Sequence, residues 1–468
     1  MKKYISIIMC VLLVLSLCAC GESEKGGGDQ GLQVGFGRVS ILPDYEVQLS
    51  GGAATRVSTG VKDQLYLTCI AISENGETYL IGTMDFLTSD NVYVEPAKAV
   101  MSGATGVPVE NILLNATHTH ASVAIRSTGT KNVDRYREDF NKWAEEAAKA
   151  AVEDLSAAEV WYGSVKAEGM AWVRHYVMAD GSYAGPNYGS FASGIVSHVS
   201  EADQDLQLIR FVRGAEDKKD IVMMNFPAHA TLTQTSTDLS ADFPGPARDY
   251  VEANADVLCA YFIAAAGDQV PNSKVPEECF SNDYKLYGQE LGRIAVECMG
   301  NLTKLEATGL GDVQRTYTAN SNKEKLDRLT DAKQVEVEWQ TVGRGTAQGA
   351  QAAKNHGFAS VYEVSAVIDR ANSPETNDLN LRVLSIGDVS FLFAPYEMFG
   401  STALDIKARS PYPMTFIITC AQGSEGYLPT ALGFEIDCYE SHVTHFERGT
   451  AEKLADAYIT MLTEMKEK

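Results

Sequence analysis

Short runs of strand-like apolar pattern alternate along this chain with longer stretches of helical period. Residues 65–72 and 78–83 are rich in aliphatic and aromatic side chains and flank Glu74, Asn75 and Gly76, where the Asn-Gly pair supplies the backbone freedom of a tight hairpin. Residues 135–155 follow a helical repeat that sets Phe140, Trp143, Ala147 and Ala151 on one face. Residues 207–212 and 220–226 read as two further strands joined by a charged loop at 213–219, and 258–266 as an apolar strand. Residues 380–386 and 389–394 form a second hairpin-like pair, and 450–468 a terminal helix. Val335, Val337 and Trp339 alternate with Glu336 and Glu338, which predicts a half-exposed strand before a glycine-rich turn at 343–349. There is no internal repeat. The fold class expected is α/β (mixed α+β), with central β-sheets flanked by helices in a single large domain.

The first residues change the picture of where the protein resides. Lys2 and Lys3 precede an apolar stretch at 5–17, too short to span a bilayer and laid out as a secretory signal. It runs into Leu17-Cys18-Ala19-Cys20-Gly21, which resembles the bacterial lipoprotein cleavage box. The expectation is a signal peptide at 1–19, a lipidated Cys20, a flexible glycine-rich tether at 20–31 and a domain at 32–468. Such a protein is exported and held by lipid at the extracytoplasmic face of the cell membrane.

Charge and cysteine usage narrow the partners. A net charge of -23 over 468 residues argues against nucleic acid and against a polybasic grip on anionic lipid, because both require local positive potential. No protein partner is expected from the pattern. Beyond the signal segment remain Cys69, Cys259, Cys279, Cys298, Cys420 and Cys438, with no CxxC pair and hence no zinc ribbon or redox motif; one or two disulfides stay open.

Candidate chemistry gathers where apolar runs end. Ile112-Leu113-Leu114 leads into Thr117-His118-Thr119-His120, and in an extended segment the two imidazoles would share one face. The strand at 220–226 runs into Pro227-Ala228-His229, that at 258–266 into Gly267-Asp268, and that at 389–394 into Pro395-Tyr396-Glu397. Endings in His, His, Asp and Glu suggest a shared site at the strand ends, with a metal as its natural occupant.

Taken in order, these motifs resemble the catalytic domain of the neutral/alkaline (non-lysosomal) ceramidases. The residues that carry the resemblance are 111–120, Phe226-Pro227-Ala228-His229, Gly267-Asp268 with Pro271-Asn272, Pro395-Tyr396-Glu397, Tyr427-Leu428-Pro429-Thr430 and Cys438-Tyr439-Glu440. The resemblance implies a zinc amidohydrolase acting on N-acylated lipids such as ceramide, with Zn2+ held by His118, His229, Glu397 and Tyr439. It further implies that His120 and Arg174 contact the reacting amide; Asp268 is a candidate for orienting one of these groups. Two departures bear on substrate. Val270 stands where these enzymes carry serine, and Val173 precedes Arg174 where they carry asparagine. The sequence closes after 450–468, so the additional C-terminal β-sandwich of full-length ceramidases is not expected in it.

Other readings use the same residues differently. A non-catalytic solute-binding lipoprotein needs a cleft and no metal, whereas a metal-dependent esterase or phosphoesterase would use the same ligands. The glycine-rich turn at 343–349 lacks dinucleotide spacing, and no Gly-x-Ser-x-Gly elbow marks a serine hydrolase. His175, His198 and His356 read as surface or loop residues, and His442 and His445, beside Tyr439, as groups supporting the site or as one exposed helix face, the latter favoured.

Overall fold

The computed structural model describes residues 31–127 and 129–468, and residues 31–468 form one unit. The expected signal segment, Cys20 and nearly all of the tether lie outside the described residues. The larger sheet contains β1 (Gln33–Ser40), β2 (Tyr66–Glu74), β3 (Glu77–Met84), β4 (Ile112–Ala116), β5 (Ser156–Lys166), β6 (Asp205–Arg213), β7 (Ile221–Phe226) and β8 (Leu258–Ile263). Their order is β8-β7-β6-β5-β1-β2-β3-β4, with β7/β8 and β3/β4 parallel and the other pairs antiparallel. The hairpin between β2 and β3 forms as expected, with Asn75 and Gly76 at φ 53° and 86°.

A second sheet, β9 (Leu310–Asn320), β10 (Thr376–Ile386), β11 (Val389–Phe393) and β12 (Met414–Ile418), stacks on the first. Ile70, Ile81, Leu113, Met223 and Phe262 of the large sheet meet Leu384, Phe391, Phe393 and Phe416 of the small one in a shared core. The outer face of the large sheet packs on α1 (Asn91–Thr105), α2 (Val133–Glu153), α3 (Pro244–Ala255) and α4 (Tyr284–Met299). Between β9 and β10 the chain forms α5 (Leu329–Val342), α6 (Ala347–Asn355) and α7 (Val361–Asn372), while α8 (Gly400–Arg409) and the terminal α9 (Thr450–Lys466) cover the outer face of the small sheet. The result is a four-layer stack of helices, sheet, sheet and helices. Both faces of each sheet are therefore covered, which is why strands such as β7 are apolar at nearly every position and not only at alternate ones.

One expected strand is a helix. Residues 335–339 lie inside α5, where Val335 and Trp339 are one turn apart and buried while Val337 is 63% exposed. The turn after it is a pair of helix caps: Gly343 ends α5 at φ 82°, and the Thr346 hydroxyl accepts from Gly349 N at 3.0 Å to start α6. These three helices share a small core with Ala53.

The two sheets are tied together at one end. Asn225 Nδ2 donates to Phe262 O within its own sheet (3.1 Å) and to Ile417 O of the other (3.0 Å). Asn115 Nδ2 reaches Thr419 O at 3.2 Å, and Ala116 N and Thr419 N bond to Cys420 O and Ile263 O across the same seam. Just beyond it, the buried Asp85 takes a two-pronged grip from Arg248 at 2.8 Å and 2.8 Å and also accepts from Tyr66 N and the Thr117 hydroxyl.

Asp85 has four donors and Arg248 is its only charge, so Arg248→Met should leave a buried carboxylate without a counter-charge. We expect a loss of about 3–5 kcal/mol in denaturant unfolding, much of it recovered in the Asp85→Leu/Arg248→Met double variant. A single variant within about 0.5 kcal/mol of wild type would contradict this role for the pair.

Candidate metal centre

The tie between the sheets places the loops after β4, β7, β8 and β11 together. β4 ends at Ala116, so the expected extended run through His120 does not occur: His118 is left-handed at φ 67°. The two imidazoles converge through a turn and not through strand alternation. The threonines hold that turn, Thr117 through Asp85 and Thr119 by donating to Ser240 O at 2.7 Å. His120 is backed by Gly51, whose carbonyl sits 3.1 Å from Nδ1; at φ 84°, with a Cβ only 2.6 Å from His120 Cα, this position admits glycine alone.

His229 follows β7, and its Nδ1 lies 2.5 Å from Ala266 O and 3.1 Å from Gln269 O. Glu397 follows β11 in a two-residue parallel ladder with Tyr427–Leu428. Gly267 packs directly beneath it, since a Cβ there would lie 2.4 Å from Glu397 O.

From these supports three atoms converge. Glu397 Oε2 lies 3.2 Å from His118 Nε2 and 3.2 Å from His229 Nε2, is shut off from solvent, and has no contact of hydrogen-bond geometry. The His118 Nδ1 faces Leu87 O at 2.7 Å. A carbonyl only accepts, so Nδ1 of each ring carries the proton and the neutral ring turns its Nε2 lone pair inward. Inward-facing lone pairs around a carboxylate oxygen without a hydrogen-bond partner form a donor set that could hold a cation. A four-coordinate ion with bonds of about 2.0–2.2 Å separates its donors by about 3.3–3.6 Å, close to the spacing found. His120 Nε2, 3.4 Å from His118 Nε2, and the Tyr427 hydroxyl, 3.5 Å from His229 Nε2, stand at the same range, and His118, His120 and His229 form a compact metal-type cluster.

The charges tell the same story. Burial opposes ionisation of Glu397, yet the imidazoles facing it hold its carboxyl well below the usual range. Burial also works against a charged His118, but Cys420 and Glu397 raise its pKa well above the ordinary value. Burial and the neighbouring imidazoles drive His120 well below, and burial with the Arg174 charge takes His229 to about 4. A divalent cation held between these groups would compete with a proton for the same inward-facing nitrogen and oxygen atoms.

The other expected residues fall into two groups. Arg174 is buried and adjacent: its guanidinium lies 5.5 Å from the Tyr427 ring centre. The Tyr427 hydroxyl is 3.5 Å from His229 Nε2, and the Tyr439 ring packs edge-on against Tyr427 with centres 5.7 Å apart. Asp268 is directed elsewhere; its carboxylate caps α8 through Gly400 N at 2.7 Å, while its carbonyl accepts from Arg174 N at 2.9 Å. Its link to Arg174 is through the backbone alone. His175 and His442 are buried, against expectation, whereas His445 is exposed and His198 and His356 are half-buried. His175 is engaged by Glu440 at 2.8 Å. Val270 pairs with Trp172 in a short ladder beside Arg174. All six described cysteines are unpaired.

The architecture is that of a mixed α/β protein with a buried His/His/Glu donor set at converging strand ends. No family model and no curated protein matches the sequence. Among solved structures, the neutral ceramidase from Pseudomonas aeruginosa aligns with a TM-score of 0.68 at 16% identity, over 94% of this chain and 75% of that one. A ceramidase described as complexed with C2 aligns with a TM-score of 0.65 at 16% identity, over 93% and 75%. The fold is therefore the one seen in neutral ceramidase.

Because the Tyr427 hydroxyl lies 3.5 Å from His229 Nε2, Tyr427→Phe should loosen a bound divalent metal by about tenfold or more in chelator competition. Tyr439→Phe should leave metal affinity within about twofold. Equal effects, or a larger effect at Tyr439, would assign the fourth position to Tyr439.

Proposed function

We propose that this protein hydrolyses the amide bond of a ceramide-like N-acylated lipid with a zinc ion held by His118, His229 and Glu397, with Tyr427 in the fourth protein position. The observation that carries the reading is the meeting of His118 Nε2, His229 Nε2 and the unpartnered Glu397 Oε2 at 3.2 Å inside a ceramidase fold. Two imidazoles and a carboxylate are a common catalytic zinc set. Bound there, zinc supplies Lewis acidity towards the amide carbonyl and a water acidic enough to act as nucleophile near neutral pH.

The chain's own groups do the rest. Arg174 offers guanidinium donors to the carbonyl oxygen from beside Tyr427, and these strengthen as negative charge grows on that oxygen. His120 is kept neutral by burial and by the neighbouring imidazoles, so it can take a proton from the attacking water and return it to the leaving amine. Asp268 and Gly267 hold Arg174 through their carbonyls. The half-buried Val270 in place of serine removes a hydroxyl near Arg174. A pocket without that partner disfavours an extra substrate hydroxyl by about a hundredfold at most, so ceramide remains a substrate to test beside other N-acyl lipids.

The reading is tested by incubating zinc-loaded protein with ceramides, N-acyl amino acids and simple esters and following fatty-acid release. Release from amides supports it, and release from esters alone replaces it with a metal-dependent esterase. His120→Ala and Arg174→Ala should lower turnover by about a hundredfold or more with zinc retained. Zinc lost with His120 would make that residue a ligand instead.

We also propose membrane anchoring through Cys20, which rests on the basic start, the apolar stretch and the cleavage box. A lipid anchor would hold the enzyme where its substrates partition. Fractionation of cells expressing Cys20→Ala should find the protein unprocessed or released from the membrane; normal maturation and retention would overturn the anchor.

A further inference from the structure

Next to Arg174 lies a buried cluster that the chemistry above does not use. Glu440 begins the short helix Tyr439–Val443 and is 0% exposed. Its Oε1 accepts from Arg174 Nε at 2.8 Å and also from Nη2, while its Oε2 is 2.8 Å from His175 Nε2. The His175 ring is itself wedged between Tyr188 and Phe399, with ring centres 5.8 and 5.6 Å away. Cys438 completes a trio whose ligand atoms lie within 4.8 Å of one another. A second metal does not suit this trio, because Arg174 already balances the carboxylate and burial beside Glu440 keeps the Cys438 thiol protonated.

A guanidinium is a rigid planar fork, so fixing one edge fixes the direction of the rest. Glu440 takes the Nε–Nη2 edge, and Gly267 O takes a second contact from Nη2 at 2.9 Å. Among the described residues the Nη1 end has no carboxylate or carbonyl partner and is what remains for a ligand, on a guanidinium that lies over Tyr427 and interacts with it, the Tyr427 hydroxyl being at His229. We propose that Glu440 is a positioning residue: its carboxylate, locked by His175, clamps Arg174 so that the free end of the fork meets the substrate carbonyl at the His118, His229 and Glu397 donors. The inference rests on the hydrolase reading. It goes beyond it by giving the buried Glu440–His175 pair a task in turnover and not only in folding.

The test is a double-variant cycle on the full zinc-loaded protein. Glu440→Gln preserves shape but loses the charge that grips the fork, and should lower kcat by about a hundredfold with zinc content unchanged. In an Arg174→Gln background it should cause no further loss, because its effect passes through Arg174. Glu440→Asp keeps the ion pair, and with it the fold, but draws the fork back by one methylene; kcat should fall by about tenfold with little change in KM. Wild-type kcat in either single variant, or losses that multiply with Arg174→Gln, would overturn the clamp. A wild type that releases no fatty acid from any amide or ester would instead sink the hydrolase reading and this inference with it, so the two failures are distinguishable.

Discussion

A carboxylate oxygen without a hydrogen bond, buried against two imidazole nitrogens, is the constraint on which this molecule turns. Taking Glu397 out of water opposes its charge, and the imidazoles of His118 and His229, whose Nδ1 atoms face carbonyls, turn their Nε2 atoms towards it and hold its carboxyl well below the usual range. Such a group is stable only with positive charge at the point where the three atoms meet. Everything that fixes those atoms, from the Leu87, Ala266 and Gly51 carbonyls to Asp85 behind Thr117, maintains an arrangement that a looser fold would relax by turning the side chains to solvent.

The double sheet supplies that rigidity. β4, β7 and β11 belong to two different sheets, yet their ends converge because Asn115, Asn225 and Thr419 bond across the seam. Each of the two buried amides leaves its Oδ1 without a partner, an unfavourable feature that apolar packing would avoid. Its presence at the site end, and nowhere else along these strands, fits the seam's task of holding loops from both sheets in one register. Glycine does related work where backbones must touch, at Gly51 behind His120 and at Gly267 beneath Glu397.

Much of the layered fold was legible because two-sided burial makes strands read as unbroken apolar runs, and the Asn75-Gly76 turn announces its hairpin. The stretch at 335–339 misled because Val, Val and Trp at alternate positions satisfy a strand pattern while Val335 and Trp339 also satisfy a helical one; the tertiary core under α5 decided between them. In the site, His118, His120, His229 and Glu397 were legible from residue type and from their place after apolar runs. The manner of convergence was not, since a left-handed His118 leaves no local signature. Nor does the sequence signal Tyr427, twelve residues before Tyr439, whose hydroxyl reaches His229 because the short ladder with Glu397 carries it there. His175 looked like a loop histidine because its partner, Glu440, is 265 positions away.

Under the proposed reading, Arg174 and a cation at the His118, His229 and Glu397 donors together define what the site would stabilise. A guanidinium and a divalent cation flanking one point favour a group whose negative charge grows during reaction, as an amide oxygen's does on attack, more than one already fully charged, which would bind tightly in the ground state and gain less at the transition state. That weighs against a phosphoester as the preferred substrate, even though the same donors could hold its metal. The balance depends on Arg174 being held and not free: an unclamped fork over Tyr427 could follow a ground-state anion, whereas one gripped along its Nε–Nη2 edge stays where the carbonyl oxygen must come. Under the proposed reading, rigid support of the cation, more than its presence alone, is what would direct this centre towards acyl transfer to water.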